Sequence, residues 1–353
     1  MENKTDNRRR FIKRALGAGA ASALATTALH AGTTSTPNSY LSDGSGASSR
    51  DLGGKLNDFV SVKDFGAKGD HYTDDTASIE NALNYISSVV NASEGGTLYF
   101  PKGVYTISRP LVIPNKTHIV GEGISSVIRA HEQNFSGDCI LRLGSVNGNA
   151  FDTQISNLRI HQNKASVGKS IVYSNAMNQQ CGLFNVLLDG LENVDGIVFD
   201  GENSGSGGPS IVEVRSVNIQ AISNITNGIH SAVGGMILKV SHVTIEAANE
   251  NSITRGIYME RDILSGDTLH FEGCSNGIVI GTKSLGGKGS VITGSRTTGT
   301  LVAITSTFER GGIVLECLEH SSLVANGLIT LQNNQNGDQI VDQFVTSYTY
   351  TAT

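Results

Sequence analysis

One four-residue pattern, apolar at its first and third positions and polar at its fourth, recurs through the middle of the chain. Its five copies are Leu158–His161, Val186–Asp189, Val217–Gln220, Val243–Glu246 and Leu269–Glu272. They begin 26 to 31 residues apart. A unit of this length holds a few short strands and cannot bury its own apolar face, so successive units stack as coils whose equivalent strands pair. The spacing therefore predicts a solenoid of parallel sheets.

A second pattern, Gly-Ile, interleaves with the first, one copy per repeat. Its members are Gly196-Ile197, Gly228-Ile229, Gly256-Ile257, Gly277-Ile278 and Gly312-Ile313. An antiparallel sandwich is the alternative, and it would need hairpin turns between neighbouring strands. The Asn-Gly pairs that begin at Asn227 and Asn276 fall at equivalent places in the repeat. That placement favours a recurring corner over a hairpin.

Residues 75–90 depart from the strand pattern and are predicted to form an α-helix. Their apolar residues fall at helical spacing and form one stripe. The stripe consists of Ile79, Ala82, Leu83, Ile86, Val89 and Val90. Asp74 or Asp75 is placed to accept hydrogen bonds from the free N–H groups of the first turn. Because an open solenoid end exposes the core and its strand edges, the helix is expected to cap the N-terminal end.

The stretch around this helix carries four motifs. They are Asp64–Asp70 (DFGAKGD), Thr73–Thr76 (TDDT), Gly96–Tyr105 (GTLYFPKGVY) and Gly121–Gly123 (GEG). Together they resemble the N-terminal signature of the pectate-lyase-like superfamily, which includes rhamnogalacturonase and polygalacturonase relatives and phage tailspike depolymerases. The resemblance implies an all-β, right-handed parallel β-helix with an N-terminal capping α-helix, and polysaccharide as the usual substrate class. His71 stands where this superfamily commonly has Gly, which concerns the conformation of that turn.

Both ends of the chain are predicted to lie outside the solenoid, which spans residues 58–332. An arginine-rich segment at Arg8 precedes an apolar run of small residues, so residues 1–31 are predicted to be a twin-arginine-type signal peptide. Residues 32–57 are rich in Gly, Ser and Thr and are predicted to be a flexible linker. Residues 333–353 form a C-terminal tail or cap. These features predict export by the twin-arginine route to the periplasm or the cell exterior.

The charge balance argues against nucleic acid as a partner. The formal net charge is −6, whereas duplex binding uses Lys and Arg to neutralise phosphates. After removal of the signal, no segment is long and apolar enough to be predicted as a membrane span. Polysaccharide is therefore the expected partner, and the sequence leaves a monomer and a trimer both open.

Three carboxylates within six residues, those of Asp70, Asp74 and Asp75, suggest a calcium site or an acid–base pair. A turn aspartate and a helix cap account for them without a ligand, so no cofactor is predicted and calcium is unsupported.

The four cysteines are Cys139, Cys181, Cys274 and Cys317. They lack metal-ligand spacing, so no metal site is predicted. Three disulfide pairings are possible after export, although isolated cysteines in apolar strands are more often buried and reduced.

The Gly-Ile strands define a first candidate site, because the residue after each Ile and the residue two beyond it face outwards. The predicted catalytic residues are Asp200, His230, Tyr258 and Glu260, and Arg255 and Arg261 beside them are predicted to bind substrate. Asp200 and Glu260 would stand about 9–10 Å apart after two coils, which approaches the separation in inverting glycosidases. His230 or Tyr258 would instead serve a lyase, as the base that takes the proton next to a uronate carboxylate. Both chemistries stay open.

The first pattern supplies a competing outer column. Its members are His161, Asp189, Gln220, Glu246 and Glu272, flanked by His270. Glu246 and Glu272 would stand one coil, about 5 Å, apart, which matches the carboxyl separation in retaining glycosidases. Glu246, Glu272 and His270 are therefore predicted to bind substrate. A solvated sheet face with no chemical role is the alternative for either column.

The leading hypothesis is an exported polysaccharide-processing enzyme, a glycoside hydrolase or a uronate lyase, that acts on an acidic or complex glycan along the outer face. The chain has no Trp and only 6% aromatic residues, whereas neutral sugars are often stacked on aromatic rings. A uronate substrate, bound by Arg and Lys, is therefore competitive. The alternative is a non-catalytic surface or envelope protein that binds glycan or has a structural role.

Overall fold

The computed structural model divides into two units, Met1–Asn57 and Asp58–Thr353. It describes residues 39–40, 45–46, 48, 50–51, 59–90, 95–145, 148–200, 211–233, 236–260, 262–280, 286–295, 300–304, 313–315 and 328–331. In the first unit, Ser39–Tyr40 pairs with Arg50–Asp51 as a short antiparallel ladder. The predicted signal peptide and C-terminal tail lie outside the described residues, and the linker stays a prediction.

In the second unit, every strand pair that the structure describes is parallel, and the strands form two long sheets and one short sheet, in which Asn149–Phe151 pairs with Met177–Gln179. Sheet 1 contains Val60–Ser61, Asp70–Asp74, Gly96–Phe100, Gly103–Ile107, Thr117–Gly121, Ser126–Ala130, Gln154–His161, Cys181–Glu192, Ile211–Ser223, Ile237–Ala247, Ile263–Glu272, Gly286–Ser295 and Ile313–Leu315. Sheet 2 contains Leu111–Ile113, Cys139–Leu143, Ser170–Ser174, Asp195–Asp200, Ile225–Ala232, Ile253–Met259, Cys274–Ile280, Thr300–Ile304 and Leu328–Leu331. Neighbours in each sheet come from successive coils. The predicted parallel β-helix is confirmed, with the right-handed sense that connections between parallel strands adopt.

The five copies of the first sequence pattern pair with one another in register in sheet 1. Their leading residues Leu158, Val186, Val217, Val243 and Leu269 pair in that order through sheet 1. The residue before each one is left-handed, with φ between 52° and 55°. These five residues are Asn157, Asn185, Ser216, His242 and Thr268. This column of bends divides each long strand of sheet 1 into two arms, so that a coil has three sides.

The Gly-Ile pattern is a register in sheet 2, and its glycines are required by close packing. The isoleucines Ile197, Ile229, Ile257 and Ile278 pair in order and are at most 2% exposed. A Cβ on Gly228 would lie 2.7 Å from Ile245 Cγ2 and 2.7 Å from the carbonyl oxygen of Gly256. A Cβ on Gly256 would lie 2.3 Å from the ring of Phe271. Sheet 2 therefore approaches the large core residues of sheet 1 only where it carries glycine.

The fifth predicted member of this series, Gly312-Ile313, is wrong. Ile313 belongs to sheet 1, where it pairs with Gly287. The position next to Ile278 is occupied by Val302. The strand that carries Val302, Thr300–Ile304, has no Gly-Ile pair, so the pattern passes over this coil and reappears by coincidence in the other sheet.

The predicted N-terminal helix is present as an α-helix, Thr76–Tyr85, continued by one π-helical turn, Ile86–Val90. Its residues Ile79, Ala82, Leu83 and Ile86 are buried in the main core. The helix packs against a 3₁₀ helix, Val62–Phe65, and against the sheet 2 strand Leu111–Ile113, and its π-helical turn contacts the sheet 1 strand Gly96–Phe100. A second 3₁₀ turn, Gly123–Ser125, forms a corner between two strands of sheet 1. The helix lies near the start of the fold, as expected of a cap.

The three clustered aspartates have separate structural roles. Asp74 Oδ1 accepts a hydrogen bond from the backbone N–H of Thr76 at 3.0 Å and so bonds the first helical turn. Asp75 occupies the N-cap position, but its side chain instead accepts the N–H groups of Lys68 and Gly69 at 2.6 and 2.9 Å. Asp70 accepts the N–H groups of Tyr72 and Thr73 in its own turn. The cap-and-turn interpretation therefore accounts for the cluster, with Asp75 clamping the preceding loop.

The described residues contain no helix with the length and apolarity of a membrane span. Cys139, Cys181 and Cys274 are free and buried, and burial raises the pKa of each thiol. Cys317 lies outside the described residues. The three described cysteines therefore behave as small core side chains.

Candidate active site

The outward-facing residues of sheet 2 form one column along the solenoid. They pair from coil to coil in the order Arg142, Tyr173, Val198, His230 and Tyr258. Each follows an inward-facing aliphatic residue, so strand alternation turns it outwards. The register predicted for Val198, His230 and Tyr258 is confirmed, and the column extends two coils further towards the N-terminus than the Gly-Ile pattern indicates.

His230 contacts both Tyr258 and Glu260, which lie on the adjacent coil. The rings of His230 and Tyr258 stack with centroids 4.9 Å apart and planes 18° from parallel. Nε2 of His230 lies 3.4 Å from Oε2 of Glu260. The guanidinium carbon of Arg255 lies 3.9 Å from the ring centroid of Tyr258. A base, a phenol, a carboxylate and a cation are thus brought together.

Burial decides the protonation of His230. Removal from water lowers the pKa of the imidazole, and the neighbouring carboxylate of Glu260 opposes that shift without cancelling it. The ring is therefore neutral at pH 7 and able to accept a proton. Only 21% of the His230 side chain is exposed, against 31% for Glu260. The pair is half-buried, with access to a ligand from one side.

Several polar atoms around His230 are incompletely paired. Five buried side-chain atoms in the described part of the chain lack a hydrogen-bond partner. Three of them are Asn227 Oδ1, His230 Nε2 and Arg255 Nε. Asn227 and Arg255 are register neighbours in sheet 2, so the three lie on two adjacent coils. Buried polar atoms without partners are uncommon and concentrate where a ligand or a reaction requires them.

Asp200 lies on the same face but has different partners. Its carboxylate is bonded by the ammonium group of Lys169, and the hydroxyl of Tyr173 lies 3.4 Å from Oδ2. Burial raises the pKa of Asp200, but the hydrogen bond and charge of Lys169 outweigh it and leave the pKa below its ordinary value. Asp200 is therefore an ionised carboxylate that can act as a base or bind a cation.

The sequence pattern missed the N-terminal part of this face. The ring of Tyr173 lies between two cations, with Lys169 Nζ 4.3 Å and the Arg142 guanidinium carbon 4.6 Å from its centroid. Arg142 is in turn paired with Asp138. Tyr173 and Val198 are buried with Cys139 in a small cluster on the outside of the sheet. The strand Ser170–Ser174 reads Ser-Ile-Val-Tyr-Ser, which has neither Gly-Ile nor apolar-polar alternation, so the sequence pattern gave no signal for Tyr173.

The predicted residues of the first patch are thus mostly assembled. His230 contacts Tyr258 and Glu260, and Arg255 contacts Tyr258. Asp200 lies on the adjacent coil, two residues after Val198, which is the register neighbour of His230. Arg261 lies outside the described residues. No group of three or more His, Cys, Asp or Glu side chains in the described ranges is arranged to hold a metal ion.

The competing column on sheet 1 is an in-register ladder, and its members mostly bond to one another. Asp189 binds Arg159 through two hydrogen bonds and lies 3.2 Å from Nδ1 of His161. Glu246 Oε1 accepts from Gln220 at 2.7 Å and from Asn218 at 3.2 Å. These bonds tie neighbouring coils together and occupy both Asp189 oxygens and Glu246 Oε1, although Asn218 Oδ1 is also among the five buried atoms without a partner. The predicted binding role of this column therefore has weaker geometric support than that of sheet 2.

Glu272 and His270 are the last predicted members of this column, and the ladder continues beyond them to Ser295 and Thr293. Nε2 of His270 lies 3.9 Å from Oε2 of Glu272. Glu246 and Glu272 are register neighbours, so the predicted one-coil separation is confirmed. They lie on the other sheet from His230, so the two columns form separate surfaces.

The fold and this outer face define a class of parallel β-helix proteins with a polar site on one sheet. Residues 59–279 match the family described as "Rhamnogalacturonase A/epimerase, pectate lyase-like". Because that stretch is more than half of the 353 residues, the chain belongs to this family. The predicted superfamily is thereby confirmed.

Curated relatives match over short stretches. A probable glucan endo-1,3-beta-glucosidase of Arthroderma benhamiae is 35% identical over 88 residues, which are 24% of this chain and 10% of that protein. A mannuronan C5-epimerase of Azotobacter vinelandii is 42% identical over 74 residues, 19% of this chain and 5% of that protein. The chain therefore spans a tenth or less of the length of these relatives.

Solved structures share the fold over most of the chain. The tailspike of Escherichia coli bacteriophage HK620, in complex with a hexasaccharide, aligns with a TM-score of 0.59 and 13% identity, over 80% of this chain and 53% of that one. Tailspike protein 2 of the E. coli bacteriophage CAB120 aligns with a TM-score of 0.53 and 14% identity, over 82% of this chain and 42% of that one. At these identities the likeness shows the β-helix fold alone.

Proposed function

We propose that this protein is an exported enzyme that acts on an acidic polysaccharide, and that it removes the proton next to a uronate carboxylate, as lyases and epimerases do. The observation that carries the proposal is the neutral, half-buried His230 stacked on Tyr258 beside the carboxylate of Glu260. A neutral imidazole in a partly desolvated site is a competent general base at neutral pH. Arg255 supplies positive charge on the same coil.

Each group has a role in that step. His230 takes the proton from the carbon next to the uronate carboxylate, and the released electron pair moves into the carboxylate as an enolate. The Arg255 guanidinium stabilises the charge that develops there. Glu260 stabilises the imidazolium as it forms. In a lyase the bond to the leaving glycosidic oxygen then breaks, and Tyr258 is placed to protonate that oxygen; in an epimerase a proton returns to the carbon from the opposite face.

The substrate class rests on chemistry and on relatives. Carboxylate-bearing sugars are bound by Arg and Lys, and both occur on this face in Arg255 and Lys169. Relatives named as a mannuronan C5-epimerase and an alginate lyase support a polyuronate. The absence of Trp from the chain fits a substrate held by charge more than by ring stacking.

Three measurements distinguish the possible reactions. The full chain would be incubated with a panel of polyuronates and neutral glycans. A lyase raises ultraviolet absorbance by forming an unsaturated sugar, and an epimerase incorporates deuterium from D₂O without chain cleavage. A rise in reducing ends without either signal would overturn proton abstraction in favour of hydrolysis. Binding without any turnover would favour the alternative of a non-catalytic glycan-binding protein.

Hydrolysis is the second candidate because Asp200 is held ionised by Lys169. Asp200 and Glu260 are separated by one intervening coil, which carries Ala232 opposite Asp200. Two coils correspond to about 10 Å, near the upper end of the separation in inverting glycosidases, about 6.5–9.5 Å. Asp200 would then be the base that activates water, and Glu260 the acid.

The proposed export route rests on the N-terminal sequence. Arg8, Arg9 and Arg10 precede the apolar run, as in twin-arginine signals. Replacing Arg8 and Arg9, the two arginines of the Arg-Arg-x-Phe-Ile-Lys order, by Lys would retain the charge and is expected to abolish export. Undiminished export of that variant would exclude this route.

A further inference from the structure

Asp262 is a buried carboxylate that the proposed reaction does not use. Its side chain is 0% exposed. It accepts hydrogen bonds from the hydroxyl of Ser231 at 2.5 Å and from the backbone N–H groups of Val233 and Met236, both at 2.9 Å. A carboxylate removed from water is costly unless its oxygens are hydrogen-bonded. These three donors meet that requirement.

The donors and the carboxylate flank the two residues of the proposed site. Ser231 follows His230 directly, and Asp262 lies two residues after Glu260. The carbonyl oxygen of Ser231 accepts the backbone N–H of Glu260 at 2.8 Å. Ser231 is therefore held at both ends by the segment that carries Glu260, through its carbonyl by Glu260 and through its hydroxyl by Asp262.

We propose that Asp262 is a positioning residue, which fixes the separation of His230 and Glu260 by clamping Ser231 and the turn that follows it. His230 and Glu260 lie on different coils, and the ladder of sheet 2 in this coil ends at Met259. Glu260 thus lies beyond the last ladder pair, Ser231 with Met259. Loss of the clamp would release the hydroxyl of Ser231 and the following turn from the segment that carries Glu260. The inference rests on the proposed function of the pair.

Several charged groups influence the pKa of His230, and they determine how that pKa would change if the clamp were lost. Glu260 and Asp195 favour its protonated form and Arg255 disfavours it, but burial is the largest influence on its pKa. Asp200 is close enough for the charge of His230 to lower its pKa. Release of the turn admits water to the imidazole. Because burial dominates, the His230 pKa is expected to rise towards its ordinary value of about 6.5.

The test compares three single substitutions in the full chain. Asp262→Asn replaces one acceptor oxygen by an amide NH2 group. Because this donor would face the N–H or O–H donor that the oxygen now accepts from, a hydrogen bond of the clamp is lost. Ser231→Ala removes only the hydroxyl and is expected to act in the same direction more weakly. Asp75→Asn is the matched control, because Asp75 is also buried, 1% exposed, and clamps a loop through two N–H groups at the other end of the solenoid.

The first readout is the His230 titration, followed by NMR of histidine-labelled protein and assigned with His230→Gln. Asp262→Asn is expected to shift the His230 midpoint upwards, whereas Asp75→Asn leaves it unchanged even at a similar loss of stability. If the two aspartate variants lose stability alike and neither moves the midpoint, the clamp is structural only. Should Asp262→Asn fail to fold, Ser231→Ala decides the same question.

The second readout is turnover on the polyuronate that the wild type accepts. A misplaced catalytic group can cost about 10²-fold in rate, so Asp262→Asn is expected to lower kcat by about 10- to 10²-fold with KM little changed. A rise in KM with unchanged kcat would contradict a positioning role. If the midpoint shifts but the wild type has no activity on any glycan, the clamp stands and the proposed function fails.

Discussion

The imidazole of His230 lies flat on the ring of Tyr258, with centroids 4.9 Å apart and planes 18° from parallel. Both residues occupy the same register position on adjacent coils, so the stacking follows from the repeat itself. The stack fixes the plane of the imidazole and directs Nε2 towards Glu260. A solenoid can thus build a defined site from residues about 30 positions apart because equivalent positions lie one coil apart.

Replacing His230 by Asn is expected to lower kcat by about 10²- to 10⁴-fold, the usual contribution of a general base. The side chain keeps polarity but loses the proton acceptor. His270→Asn is the matched control, because His270 also lies beside a glutamate on an outer face, with Nε2 3.9 Å from Glu272. Steady-state rates on one polyuronate provide the comparison. Full activity of His230→Asn together with inactive His270→Asn would move the site to sheet 1.

Glu260→Gln is expected to fold normally and to lose activity by orders of magnitude, because the amide cannot stabilise an imidazolium. The pH profile of the residual activity should also change, since Glu260 favours the protonated form of His230. Without that carboxylate, His230 is expected to titrate at lower pH. Far-UV circular dichroism checks the fold, and unchanged turnover would remove the His230–Glu260 pair from consideration.

More of the fold than of the candidate site can be predicted from the sequence. Strand alternation and repeat spacing predict which residues face outwards, and the order Val198, His230, Tyr258 follows from them. They cannot predict how deeply an outward residue is covered. Val198 is only 2% exposed because it packs with Tyr173 and Cys139 on the outside of the sheet.

The contacts of residues that lie outside the strands also cannot be predicted from the repeat pattern. Lys169 precedes its strand by one residue and reaches Asp200 on the next coil. The loop before it contains two consecutive left-handed residues, Asn163 and Lys164, and no periodicity predicts that conformation. Asp262 also bonds a turn, through the N–H groups of Val233 and Met236. The register is therefore local and predictable, whereas the partners of loop residues depend on the assembled coils.

Buried neutral His230 predicts a loss of stability in mild acid. Its pKa is lower in the folded than in the unfolded chain, so above about pH 6.5 both states are neutral and His230 has no effect on the pH dependence. Below that value the unfolded state binds the proton first, and the free energy of unfolding falls until the pH reaches the folded pKa. Urea denaturation from pH 7.5 to 5 measures the slope. The slope should be smaller in His230→Asn, and an identical slope would contradict burial as the cause.

Asp200→Asn separates the two candidate reactions. In proton abstraction Asp200 only pairs with Lys169, so the variant is expected to keep most of its kcat. In hydrolysis Asp200 is the base that activates water, and the same change would cost about 10²-fold or more. Lys169→Met provides the control, because it breaks the same ion pair and keeps the carboxylate. Equal, large losses in Asp200→Asn and in Lys169→Met would indicate that the ion pair itself shapes the site.

Gly228→Ala tests why the Gly-Ile pattern of sheet 2 requires glycine. The new Cβ would meet Ile245 and the carbonyl oxygen of Gly256, both at 2.7 Å, and Ile245 is fully buried on the facing sheet. Overpacking of this kind costs about 1–3 kcal/mol, measurable as a fall in the free energy of unfolding in urea. Thr226→Ala, at an exposed position of the same strand, is the control and should change little. Because Ile245→Ala makes room for the new methyl group but cannot move the carbonyl, the double variant should lose less stability than the sum of the two single changes. A strictly additive loss would mean that the clash with Ile245 is not what excludes a side chain from position 228.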